Sequence, residues 1–174
     1  MAEEFVVLVD NTDKELGVME KMRAHRDAVL HRAFSIFVFN DRGELMLQQR
    51  AMHKYHSPGL WTNTCCSHPR QGESLHTATH RRLQEEMGFD CELEKAFDFQ
   101  YKSDVGQGLT EHEFDHVFIG EWSGKPQINP DEVASWKYMK MEDVEKDMLK
   151  HPENYTVWFR IAFEEVYKHL KQKK

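Results

Sequence analysis

Two apolar runs, residues 33–39 (AFSIFVF) and 45–50 (LMLQQR), flank the insert NDRGE, and this arrangement restricts the fold more than any other stretch. Gly43 supplies the positive φ that a short reversal needs, so the middle of the chain reads as a β-hairpin. Phe5 to Val9 is a short strand candidate closed by Asp10-Asn11-Thr12-Asp13. Gly17 then opens an irregular or extended piece reaching His25, and His31 sits at a strand entrance. Ser57-Pro58-Gly59 makes a turn, residues 61–66 are extended, and Ser74 is the N-cap of a helix that runs to Met87 and stops at Gly88. Residues 97–105 and 110–122 alternate aromatic and polar side chains about Gly106-Gln107-Gly108, as antiparallel strands do. A last strand covers about 133–139. Helices follow at about 141–150 and 153–171, the second with Trp158, Ile161, Ala162, Val166 and Leu170 on one face. This order describes an α/β sandwich with a mixed β-sheet. With no repeat, linker or low-complexity segment, residues 1–174 read as a single domain.

A chain of 174 residues, 40% hydrophobic, buries roughly 70% of the surface its unfolded form exposes, enough for a core without staples. Thirty acidic residues against 23 basic ones give a net charge of -7, which favours solubility and argues against a nucleic-acid surface. Cys65, Cys66 and Cys91 are odd in number, and the geometry of an adjacent pair opposes a bridge, so a reducing cytoplasm is the expected home. The start, MAEEF, carries glutamates where a secretory signal needs positive charge. No apolar run approaches the roughly 20 residues of a membrane span, so neither export nor membrane association is expected.

The chemistry lies in two stretches, WTNTCCSHP at 61–69 and EHEFDHVF at 111–118. On a strand, Glu111, Glu113 and Asp115 share one face and His112 and His116 take the other. Carboxylates about 7 Å apart repel by on the order of 2 kcal/mol per pair at an effective dielectric of about 20, tolerable in water but awkward if buried without a cation. His25, His31 and His68 each stand beside a turn or strand end, where segments converge. Three imidazoles with two carboxylates would make a nitrogen and oxygen shell for manganese, iron, magnesium or zinc. If extended, Cys65 and Cys66 point to opposite sides, one into the core. Cys66 shares a face with His68, where a metal-rich pocket could lower its pKa.

The helix adds Glu73, then Arg81-Arg82-Leu83-Gln84-Glu85-Glu86-Met87-Gly88-Phe89, with i,i+4 pairs Arg81 to Glu85 and Arg82 to Glu86. This stretch, about 67–89, resembles a Nudix box, which holds divalent metal against a diphosphate; Glu73, Arg81, Glu85, Glu86, Gly88 and Phe89 match it. Ser67 stands where the box begins with glycine, and Arg82 replaces the first glutamate of its REU element. That glutamate helps gather the metals that activate water in hydrolytic members, so an arginine there disfavours hydrolysis while still attracting phosphate. Together with TNTCCSHP, LHRAFSIFVFN and EHEFDHVF, the departure resembles the type I isopentenyl-diphosphate isomerases of the Nudix superfamily, over about Lys21 to Trp158.

That resemblance implies a Nudix-type α/β/α sandwich and an isomerase interconverting isopentenyl and dimethylallyl diphosphate in isoprenoid biosynthesis. It implies catalytic Cys66 and Glu113, with Tyr101 bonded to the glutamate. His25, His31, His68, Glu111 and Glu113 match a site for Mn2+ or Zn2+; Glu86, with the Cys66 backbone carbonyl, matches the site of the Mg2+ that arrives with the diphosphate. Lys21, Arg50, Lys54 and Arg82 match diphosphate contacts, and Trp158 the indole roofing the hydrocarbon. The implied partner is a small-molecule isoprenoid diphosphate, with no nucleic acid or membrane, and the implied state is a monomer or weak homodimer. Two rivals share parts of the pattern: a Nudix hydrolase, and a noncatalytic metal-binding or redox-sensing module.

Overall fold

The computed structural model describes residues 4–172. Nine strands form one mixed sheet: β1 (Phe5–Val9), β2 (Glu15–Glu20), β3 (His31–Phe39), β4 (Glu44–Arg50), β5 (Trp61–Thr62), β6 (Cys65–Ser67), β7 (Leu93–Gly106), β8 (Leu109–Glu121) and β9 (Val133–Lys140). The helices are α1 (Lys21–Arg26), α2 (Leu75–Met87), α3 (Met141–Lys150) and α4 (Val157–Gln172).

The expected hairpin between β3 and β4 forms at its turn but does not continue as a ladder. Gly43 takes φ 74°, yet Phe39 opposite Leu45 is the one paired position of these strands. Beyond it they part, β3 running parallel to β8 over nine pairs and β4 antiparallel to β9. The segment 61–67 fills the split, β5 pairing with β4 and β6 with β3. The side chains at its bend tie the halves together. Thr64 Oγ1 accepts from Val38 N at 2.9 Å and donates to the Met46 carbonyl at 2.6 Å, while Asn63 Nδ2 donates to the carbonyls of Ile36 and Cys65. Side chains thus satisfy backbone groups that a continuous ladder would otherwise pair.

Strand alternation sends the two cores to opposite faces. Phe34, Ile36, Val38 and Cys65 pack with Ala78, Leu83 and Met87 of α2; Phe37, Phe39, Leu45 and Leu47 pack with Val144 of α3 and Phe159, Phe163 and Val166 of α4. The result is an α/β/α sandwich. α2 begins and ends as read, with Ser74 Oγ accepting from Thr77 N at 3.1 Å and Gly88 left-handed at φ 71°. Gly88 is also a close approach, since a Cβ there would lie 2.4 Å from the Gln127 carbonyl oxygen.

Three expectations need correction. Residues 17–25 are not one irregular or extended piece: β2 ends at Glu20, whose carboxylate accepts from Met22 N and Arg23 N and starts α1. The last helix begins at Val157, after a single 3-10 turn at Pro152–Asn154. Its inward face is Trp158, Phe159, Ala162, Phe163 and Val166, which leaves Ile161 45% exposed.

Candidate active site

Register brings the chemistry together. His31 on β3 and Tyr101 on β7 both stand opposite Glu113 on β8, and Cys66 on β6 stands opposite Ser35 on β3, all on the face covered by α4. Glu111, Glu113 and Asp115 share that face and are buried rather than solvated. α1 adds His25, and His68 follows β6.

His25, His31, His68 and Glu113 bring one ligand atom each within 4.8 Å of one another. His68 Nε2 is 2.8 Å and His31 Nε2 3.4 Å from Glu113 Oε2. Glu111 stands beside this group, its Oε1 2.9 Å from His25 Nε2. Tyr101 bridges the acids, donating to Glu113 Oε1 at 2.6 Å and to Glu111 Oε2 at 3.2 Å. His25 and His31 turn their Nδ1 atoms to the carbonyls of Lys21, at 2.7 Å, and Val29, at 2.9 Å. Carbonyls only accept, so each Nδ1 donates to its carbonyl, and Nε2 is the nitrogen left facing a carboxylate. Among the described residues His31 Nε2 has no hydrogen-bond partner. Imidazole nitrogens and a carboxylate brought this close inside a protein could hold a cation, and the donor set suits a borderline divalent metal.

The electrostatics carry the same strain. Burial works to raise the Glu113 pKa, but contact with His31, Glu111 and Tyr101 prevails and holds it low. Burial opposes charge on His31 too, yet Glu113 and Glu111 raise its pKa. His68 is driven well below its ordinary value by burial and then by His31. Asp115, whose Oδ2 accepts from Ser35 Oγ at 2.8 Å, is pushed well up by burial and the Glu113 charge. For Cys66, burial first and then the Glu86 charge push the thiol up. In the protein alone it rests as a neutral thiol, a carrier of one proton, while Cys65 is fully buried in the core beside α2.

Cys66, Glu113 and Glu111 open onto a cavity of about 920 Å³. One part is cationic, lined by Lys21, Arg50, Lys54 and Arg82; Trp158 lines it as well. Carboxylates hold three of these cations: Lys21 meets Glu4 at 2.6 Å, Lys54 meets Glu132 at 2.6 Å, and Arg82 meets Glu86 at 2.6 Å and Glu132 at 3.5 Å. Arg50 instead donates to the His56 carbonyl and lies 5.3 Å from the Trp158 ring centroid. Glu86 also accepts from Gln48 Nε2 at 3.0 Å. His25, His31 and Tyr101 sit behind the cavity wall rather than in it.

The sequence reading missed Glu132, Tyr55 and His56, all of which line the cavity. Glu132 lies in a loop with no motif. Tyr55 stands 4.6 Å beneath Lys21 Nζ, and His56 reaches Glu111; the signal for both was adjacency to Lys54 in the chain.

Comparison with known proteins places these features in a wider set. The NUDIX domain model matches residues 29–159. Isopentenyl-diphosphate Delta-isomerase 2 of Aromatoleum aromaticum is 52% identical over 164 residues, 94% of this chain and 87% of the relative. Isopentenyl-diphosphate Delta-isomerase of Pectobacterium atrosepticum is 51% identical over 158 residues, covering 91% and 88%. Among solved structures, DR0079 from Deinococcus radiodurans superposes with a TM-score of 0.80 at 18% identity over 94% of this chain and 99% of that one, a likeness of fold alone.

Proposed function

Since this chain belongs to the isopentenyl-diphosphate Delta-isomerase family, built on a NUDIX domain, we propose that it interconverts isopentenyl and dimethylallyl diphosphate, an isomerisation in isoprenoid biosynthesis. One observation carries the reading: a single cavity brings Lys21, Arg50, Lys54 and Arg82 together with the Cys66 thiol, the Glu113 carboxylate and the Trp158 indole.

Lys21, Arg50, Lys54 and Arg82 bind the diphosphate, with Lys21, Lys54 and Arg82 exchanging carboxylate partners for phosphate oxygens. Glu86 and the Cys66 carbonyl would hold the Mg2+ that accompanies it. His25, His31, His68, Glu111 and Glu113 would hold Mn2+ or Zn2+, which would supply positive charge to fix the carboxylates and tune the acidity of Glu113. Moving the double bond requires a proton delivered to C4 and another removed from C2. Cys66 and Glu113 handle these protons on opposite faces of the alkene, so the transfer is antarafacial, and the Tyr101 hydroxyl keeps Glu113 oriented. Trp158 faces the carbocation-like state, contributing about 0.5–2 kcal/mol, and the carboxylate and diphosphate fields carry the rest. Three unpaired thiols support a cytoplasmic setting.

The hydrolase alternative needs a metal-gathering carboxylate where Arg82 stands, and a guanidinium, which has no lone pair to offer, cannot ligate a metal. Incubation with magnesium and isopentenyl diphosphate in deuterated water, followed by NMR and free-phosphate assay, decides between them. Deuterated dimethylallyl product without phosphate is expected; phosphate release, or no exchange at all, refutes the reading.

A further inference from the structure

His56 belongs to no motif in the chain, yet its surroundings tie the site together. It is 2% exposed in the loop between β4 and β5. Its Nε2 lies 2.5 Å from Glu111 Oε1 and its Nδ1 3.1 Å from the Ser57 hydroxyl. The ring stands edge-on to the Trp158 indole at 5.7 Å, and its backbone carbonyl accepts from Arg50 Nη2 at 3.0 Å. One residue therefore touches a carboxylate beside the metal-ligand group, the indole, and an arginine of the cationic region.

Proton placement separates His56 from the other imidazoles. In His25 and His31, Nδ1 faces a carbonyl that only accepts, which leaves Nε2 free as a ligand. In His56, Nδ1 faces a hydroxyl able to donate, and Nε2 faces a carboxylate that only accepts. The proton consequently sits on Nε2, with Ser57 donating to Nδ1. A ring nitrogen that bears a proton is not a metal ligand, even though His25, His56 and Glu111 come as close together as a metal-binding trio would. His56 shares Glu111 Oε1 with His25, and with Oε1 engaged from both sides Oε2 is turned to the Tyr101 hydroxyl at 3.2 Å.

We propose, resting on the isomerase reading, that His56 is a positioning residue, donating to Glu111 to hold that carboxylate on the metal site and bracing the Trp158 indole over the hydrocarbon. Contacts of this kind typically change metal affinity by about 10–100-fold.

The test compares His56→Phe, which keeps a ring against Trp158 and removes the donor, with His56→Gln, whose amide nitrogen replaces Nε2. Circular dichroism establishes folding, and Zn2+ affinity is read by competition with a chelator, without substrate. The expected result is a 10–100-fold loss of Zn2+ affinity in His56→Phe, a fall in kcat with KM changed by less than about twofold, and recovery of Zn2+ affinity to within about threefold in His56→Gln. If the phenyl variant fails to fold, His56→Ala read against His56→Gln makes the same comparison. Unchanged Zn2+ affinity without the donor overturns the proposal. So does equal loss in both variants, the result expected if the imidazole were itself a ligand. A parent protein that binds Zn2+ but does not isomerise overturns the isomerase reading instead, and the affinity comparison still decides the role of His56.

Discussion

Neighbouring cysteines divide stability from chemistry. Cys65 lies fully buried against α2, and Cys66 opens into the cavity on the other face. Cys65→Ala should therefore cost about 1 kcal/mol in urea denaturation through a small cavity and leave kcat unchanged. Cys66→Ala and Glu113→Gln should each lower kcat by about 100–10000-fold while diphosphate affinity stays within a few-fold, since under the proposed mechanism each removes a proton carrier rather than a phosphate contact. A Cys66→Ala protein isomerising at the parental rate would end the proposed mechanism. The opposite facing of the two thiols followed from strand alternation in the sequence. The acidity of Cys66 did not, because it depends on burial first and then on Glu86, Glu113 and Asp115 arriving from other elements. His56 was illegible for a similar reason: nothing in YHSPG announces a partner 55 positions away on β8.

Among the elements, those governed by local rules were legible and those governed by long-range competition were not. Ser74 and Gly88 bounded α2 as read, and Gln107 and Gly108, at φ 59° and 73°, make the tight turn of the β7–β8 hairpin. The parting of β3 from β4 had no local signal, because β8 and β9 outcompete the hairpin ladder. Thr64 is the side chain that makes this parting tolerable, so Thr64→Val, similar in shape but without the hydroxyl, should cost about 2–4 kcal/mol by stranding Val38 N and the Met46 carbonyl; a denaturation midpoint matching the parent would show those groups finding other partners. α2 is anchored in front by Glu73, which accepts from Arg81 Nε at 2.7 Å and Nη2 at 2.8 Å. The Arg81 bond lowers the Glu73 pKa from 4.5. That stabilisation is complete above the unfolded pKa and is lost as pH falls through the folded one. Glu73→Gln should accordingly be less stable than the parent at pH 7 by about 1.5–3 kcal/mol, and the two should converge as pH falls below the lowered Glu73 pKa. A difference independent of pH would assign the loss to shape instead of charge.

At the scale of the molecule, the buried acids and imidazoles set a condition on folding. Glu111, Glu113 and Asp115 are buried along one face of β8, and His25 Nε2 and His31 Nε2 lie 2.9 Å from Glu111 and 3.4 Å from Glu113. Folding must bring these groups together at an electrostatic cost. A cation at the cluster removes that cost only in the native state, since the ligands come from α1, β3, β8 and the residue after β6 and are scattered in the unfolded chain. Metal binding should therefore appear as folding stability. With Zn2+ or Mn2+ at about 100 times its dissociation constant, the gain is about 2.7 kcal/mol, which for a domain of this size raises the melting temperature by about 5–10 °C. Chelation should reverse the shift, and His31→Ala should abolish most of it while leaving α2 and its Glu73 anchor intact. Equal melting temperatures for loaded and chelated protein would mean that protons already neutralise the cluster, and the metal assignment of His25, His31, His68, Glu111 and Glu113 would fall with them.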